Sequence, residues 1–214
     1  MHTRTTACFF LLFIFLSIGC RQKERSWSVY KADAASSSYS PYADINPKNL
    51  GRLKPAWTFN PDDATEGARF GSAESNPIII DGVMYAASAR HRIYAIDAGT
   101  GRQIWSFDPF HGGRGGGVCR GVTYWEEGSD KRILFTAGDQ LFALKAETGQ
   151  LMLSFGDSGR VSMNTGMRDD PKTISVRPTS PGIIYRDLLI IGNEVSELYG
   201  AQPGYIRAYN VRTG

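Results

Sequence analysis

One phrase recurs along this chain, and it restricts what the chain can fold into. Tyr94-Ala-Ile-Asp-Ala-Gly-Thr-Gly-Arg-Gln-Ile-Trp-Ser-Phe107 is echoed by Phe142-Ala-Leu-Lys-Ala-Glu-Thr-Gly-Gln-Leu-Met-Leu-Ser-Phe155. Ala208-Tyr-Asn-Val-Arg-Thr-Gly214 opens the phrase a third time. Each copy reads as a strand, a tight Thr-Gly turn and a returning strand. A unit that recurs at this long spacing belongs to an array of like supersecondary units, because one such unit cannot bury its apolar faces alone.

The units can be traced strand by strand. In the first, the apolar run 77–80 is followed by the hairpin dipeptide Asp81-Gly82 and the returning run 83–87. Strands over 92–96 and 103–107 complete it. The second unit is expected at 121–124, 132–136, 140–144 and 151–155. The third is expected at 182–185, 188–192 and 205–209, with its fourth strand beyond Gly214. No window keeps a capped helical period, so the chain reads as all-β. An apolar content of 42% with 24 Gly and 10 Pro suits a turn-rich globular β protein. The net charge of +3 is spread over both signs and gives no reason to expect nucleic acid.

Pro55-Ala-Trp-Thr-Phe59 resembles the last strand of a unit, yet no three strands precede it. A lone strand at the start is what a β-propeller uses to close its ring, by completing the last blade. The expected fold is therefore a partial β-propeller of four-stranded blades, with aromatics such as Trp57, Trp105 and Phe107 packed between neighbouring sheets. The third repeat breaks off at Gly214, and the expectation is an amino-terminal part of a longer chain.

The first residues carry a different message. Arg4 precedes an apolar run from Cys8 to Ile18, and Leu16-Ser-Ile-Gly-Cys20 then gives way to Arg21-Gln-Lys-Glu-Arg25. This is similar to a bacterial lipoprotein signal over 1–19, with lipid on Cys20, a tether over 20–26 and the propeller over 27–214. An ordinary secretory signal and an uncleaved anchor are the alternatives. All three place the fold outside the cytoplasm. Cys119 is then the single thiol of the folded part, read as a small buried residue, with no disulfide framework.

The repeat Ala-x-Asp-Ala-x-Thr-Gly-x-x-x-Trp-x-Phe resembles the blade repeat of quinoprotein dehydrogenases that use pyrroloquinoline quinone. The entry segment 45–57, Cys119-Arg-Gly-Val-Thr-Tyr-Trp125, Asn164-Thr-Gly166 and Thr179-Ser-Pro181 extend the resemblance toward the membrane glucose and quinate dehydrogenase branch. It implies an eight-bladed propeller with about three blades present.

The resemblance also implies site residues. Glu74 would border the quinone, Arg120 would bind a cofactor carboxylate or carbonyl, and Thr179 would supply a hydroxyl contact. Glu197 would ligate calcium, with Glu194 as its rival. A forked guanidinium suits a planar tricarboxylate, and calcium takes carboxylate oxygens. The general-base aspartate would lie beyond Gly214, so no catalytic residue is expected within the segment. His91 and His111 read as exposed loop histidines. The Gly-rich run 112–117 lacks the Lys-Ser/Thr and helix of a phosphate loop and reads as a flexible loop.

The implied function is oxidation of a sugar, polyol or cyclic alcohol by hydride transfer to the quinone. Electrons would pass to a membrane quinone or cytochrome c at the periplasmic face of a Gram-negative membrane. The other reading is a non-enzymatic propeller lipoprotein, a scaffold of the outer-membrane barrel-assembly type. Fold alone does not separate the two. Glu74, Cys119-Arg120, Thr179 and Glu197 do, since a scaffold has no need of them.

Overall fold

The computed structural model describes residues 26–61, 74–113 and 115–214. The expected signal segment and Cys20 lie outside the described residues. Three antiparallel sheets follow one another along the chain. The first contains β1 (Ile78–Ile80), β2 (Val83–Ala87), β3 (Ile93–Asp97) and β4 (Gln103–Phe107) in sequential order. The second contains β5 (Thr123–Glu127), β6 (Asp130–Ala137), β7 (Gln140–Lys145) and β8 (Arg160–Ser162). The third contains β9 (Ile183–Tyr185), β10 (Leu188–Ile191) and β11 (Arg207–Asn210). One short 3-10 turn, Leu50–Arg52, precedes them.

Local chemistry sets the meander. Asp81 and Gly82 both adopt positive φ, 48° and 78°, the pair of left-handed residues that a two-residue hairpin matching strand twist requires. At the next bend the Asp97 carboxylate accepts from the Gly99 and Thr100 amides at 3.1 and 2.8 Å and from the Thr100 hydroxyl at 2.8 Å. In this first Thr-Gly turn, side-chain bonds thus reinforce the main-chain bond from the Gly101 amide to the Asp97 carbonyl at 2.8 Å.

The second sheet explains its own sequence. Along β6 and β7, Ile133, Phe135, Phe142 and Leu144 face the first sheet, while Leu134, Leu141 and Ala143 face the third. Successive side chains point to opposite faces, so a sheet covered on both faces reads as an unbroken apolar run. The two cores are thus two seams, one on each face of the middle sheet. The far face of the third sheet leaves Ile183, Tyr185 and Leu188 exposed.

Rim contacts fix the first seams. Trp105 of β4 reaches the second sheet, where its Nε1 donates to the Ala146 carbonyl at 2.9 Å. Its ring lies so close to Gly149 that a Cβ there would fall 2.6 Å from it. Trp57 does the same one unit earlier, donating to the Ala98 carbonyl at 3.1 Å and lying against Gly101. Phe59 adds an edge-on contact to Tyr94 at 5.1 Å. Residues 55–59 nonetheless form no strand, because no described segment offers them a ladder partner.

The seam between the second and third sheets is built differently. Leu153 occupies the Trp105 position of its repeat and is 70% exposed. The buried Arg132 instead donates to the Val211 and Arg212 carbonyls, both at 2.9 Å. Arg132 and Arg212 also lie over the Trp125 ring at 5.7 and 4.5 Å. The fourth strand of this unit is therefore not 151–155 as expected. Leu151 keeps a single bridge to Leu144, Phe155 turns fully into the second core, and β8 takes the edge against 140–142.

Replacing Trp105 with alanine removes a buried ring and its hydrogen bond, and should lower stability by about 3–5 kcal/mol. Leu153→Ala should change it by less than about 0.5 kcal/mol. Denaturant unfolding of the two variants in the full-length protein checks the contrast.

Candidate functional site

The segments that enter the inner strands β1, β5 and β9 are joined by main-chain bonds. The Asn76 amide donates to the Arg120 carbonyl, and the Arg120 amide donates to the Thr179 carbonyl, both at 2.9 Å. Gly121, at φ 145°, permits this approach, since a Cβ there would lie 2.9 Å from the Asn76 carbonyl oxygen. Three residues far apart in sequence are thereby held in a row.

Their side chains meet as well. The Arg120 guanidinium donates to the Thr179 hydroxyl at 2.7 Å and pairs with the Glu74 carboxylate at 3.1 Å. Arg120 and Glu74 both remain partly open to solvent. The structure thus brings together Glu74, Arg120 and Thr179, the three residues that the resemblance implies at the cofactor. Cys119 beside them is buried, as expected, and burial pushes its thiol above the ordinary cysteine range.

Asn164 holds the third segment in place. Its amide nitrogen lies within hydrogen-bond distance of Asp139 (2.7 Å) and of the Pro171 and Ile174 carbonyls (3.1 and 3.0 Å). Its side-chain oxygen accepts from the Val176 amide at 2.9 Å. This buried side chain fixes the run leading to Thr179. Thr136 adds a hydrogen bond to the Pro178 carbonyl at 3.2 Å.

A cleft of about 690 Å³ opens beside this row, with Arg120, Thr179, Pro181, Asn193 and Glu194 among its walls. The Asn193 side-chain oxygen is buried there without a hydrogen-bond partner. A buried unpaired acceptor marks a place where a ligand or cation would complete the bonding. Glu197 lies exposed three residues beyond Glu194, and it is Glu194 that lines the cleft. Among the described residues no three acid, His or Cys side chains gather as a metal site.

Two histidines part company here. His111 is exposed as expected, but His91 is buried at 6% exposure. Its place in a loop makes it read as surface, whereas the bend after β2 turns its ring inward. The Gly-rich run, expected as a free loop, contributes Gly115, Gly116 and Gly117 to a second cavity beside His91.

With this geometry in place, comparison with known proteins is decisive. The family model for the PQQ glucose/ethanol/alcohol dehydrogenase β-propeller domain matches residues 27–214. The chain belongs to this family. It is 29% identical over 210 residues to the quinoprotein glucose dehydrogenase of Escherichia coli, covering 89% of the chain and 26% of that protein. It is 33% identical over 195 residues to the dehydrogenase subunit of the alcohol dehydrogenase (quinone) of Gluconacetobacter polyoxogenes, covering 88% of the chain and 24% of that protein. The solved quinohemoprotein alcohol dehydrogenase of Comamonas testosteroni superposes with a TM-score of 0.68 at 28% identity, over 88% of the chain and 26% of that structure. The chain thus spans about a quarter of the length of these relatives.

Pyrroloquinoline quinone is the cofactor of this family, and the cleft is chemically suited to it. A planar carboxylated quinone needs a forked cation and neutral donors, and Arg120 and Thr179 stand together on the wall.

Cys119 should resist alkylation at mildly alkaline pH in the folded protein and react fully once denatured. Peptide mass spectrometry of iodoacetamide-treated protein reads this out, and rapid labelling of the native Cys119 would contradict the burial.

Proposed function

We propose that the chain forms the cofactor-binding wall of an exported dehydrogenase that oxidises a CH–OH donor, a sugar, polyol or cyclic alcohol. The observation that supports this most directly is the Arg120 guanidinium, shared between Glu74 and Thr179 at the edge of the cleft. A purely structural propeller gains nothing from a half-exposed arginine held at three points, by its backbone and by two side chains.

When bound, the quinone accepts hydride from the alcohol carbon. Arg120 holds a cofactor carboxylate or carbonyl by charge-assisted hydrogen bonds, and its two protein partners restrict the guanidinium to one plane. Thr179 offers its hydroxyl from a main chain already tied to Arg120. Glu74 keeps Arg120 aimed. Glu197, or Glu194 on the cleft wall, would supply a carboxylate oxygen to hold calcium, which would serve there as a Lewis acid. The aspartate that takes the hydroxyl proton lies beyond Gly214 in this reading, and electrons leave to a membrane quinone or cytochrome c. Cys20 carries the lipid that keeps the protein at the periplasmic face.

The test is the full-length protein loaded with pyrroloquinoline quinone and calcium, followed by dye reduction with glucose, quinate and ethanol. Substrate-dependent reduction is expected, and a full-length protein that binds no quinone would overturn the proposal. Arg120→Ala should weaken quinone binding about tenfold or more, the loss expected for a hydrogen bond to a charged group. Glu197→Gln should raise the calcium needed for half-maximal reduction about tenfold, while Glu194→Gln leaves it near wild type. The reverse result would transfer the metal role to Glu194.

A further inference from the structure

His91 is the buried titratable group that this reading leaves without a task. Its backbone is held by the bend after β2, where its amide donates to the Ser88 carbonyl at 2.9 Å. The Ser88 amide donates in turn to the Arg92 carbonyl at 2.9 Å. The imidazole is therefore carried on a fixed turn, with φ at 61°. Only 6% of the residue is exposed, and neither ring nitrogen has a hydrogen-bond partner. Buried polar groups in native proteins are nearly always paired, so an orphaned imidazole points to a partner that arrives from outside the chain.

The ring lines a cavity of about 430 Å³ together with Phe110, Gly117, Asp139, Arg177, Thr179 and Glu194. Gly117 lies against it, since a Cβ there would fall 3.6 Å from Nε2. The Phe110 ring is 6.3 Å away, centre to centre. Two other polar groups on this wall already have partners. Asp139 accepts from Asn164 and Gln140 at 2.7 and 3.0 Å, and the Arg177 Nε donates to Ser175 at 3.2 Å. His91 has none. Burial pushes it below the ordinary histidine value, and the Gly117 main chain opposes this only in part and without an aligned hydrogen bond.

This cavity shares Val118, Thr179 and Glu194 with the cleft beside Arg120, so the two are adjoining lobes of one opening. Glycine main chain and an aromatic ring on the wall leave room for a flat ligand to approach closely. We infer that His91 is a contact residue for the planar quinone, hydrogen-bonding through its imidazole to the part of the cofactor that enters this lobe. The inference rests on the quinone-dehydrogenase reading and extends it to a residue outside the Glu74–Arg120–Thr179 row.

The left-handed backbone at His91 makes a clean test possible. Glycine accepts that conformation, so His91→Gly in the full-length protein removes the ring while leaving the turn intact. Quinone affinity, read by quenching of protein fluorescence, should fall about tenfold, the loss of one good hydrogen bond. Added imidazole should refill the space and restore most of it. His91→Asn keeps the left-handed turn but shortens the reach, and should bind as weakly as the glycine variant.

A second readout needs no variant. The side-chain nitrogen resonances of His91 in labelled wild-type protein should shift when quinone is added and stay still with substrate alone. Unchanged quinone affinity in folded His91→Gly, or a change confined to KM for the alcohol, would overturn the inference. So would nitrogen resonances that ignore saturating quinone, which decides the matter if the variants do not fold. Arg120→Ala losing affinity while His91→Gly retains it would sink this inference alone. Failure of the wild-type protein to bind quinone would remove the parent reading with it.

Discussion

Everything at the candidate site depends on how Arg120 is held from both sides by main chain. Its carbonyl accepts from Asn76 of the preceding blade and its amide donates to Thr179 of the next. These bonds have the geometry of a ladder but run around the hub rather than along a sheet. They place three loop residues, drawn from positions 74 to 179, at separations that side-chain chemistry can use. Loops carry function in most folds, yet here the loops are themselves tied to one another. The Arg120 side chain adds charge-assisted bonds to a geometry that the backbone has already set.

The outer rim supplies the complementary constraint. Two tryptophans, Trp57 and Trp105, each donate an indole N–H to a turn carbonyl of the following unit and lie on its glycine. Between the second and third sheets a buried guanidinium delivers the same hydrogen bond to the corresponding carbonyl, that of Val211. The acceptor is kept while the donor changes from indole to arginine. This is why the second repeat can lack its aromatic without losing the contact, and why Leu153 is left at the surface.

The blade repeat was legible from sequence because turn chemistry and period-2 burial are local properties. Asp81-Gly82, Asp97 and the Thr-Gly pairs announce bends through their own side chains and backbone preferences. The final strand of the second blade was not legible in the same way. The run 151–155 follows the apolar pattern of β4 and ends on the same Ser-Phe, but Phe155 finds a fully buried place in the next seam and pulls the chain off the ladder. Tertiary packing outweighed a local pattern. At the site, Glu74, Arg120 and Thr179 could be named through family resemblance, and their convergence became visible only in the fold. His91 reads as an exposed loop histidine from sequence, while its burial follows from the direction of a bend that sequence does not record.

Each blade is attached to its neighbour at two places, by main-chain bonds at the hub and by a docked side chain at the rim. Two anchors at different radii fix an angle as well as a distance. A small change in the rim dock therefore acts as a lever on the hub, rotating one loop against the next. In a closed ring such rotations have to sum to a full turn, so an error in one seam would be shared by all the others. The precision of a cofactor site at the centre is then a property of the whole circumference, including residues that never approach the ligand.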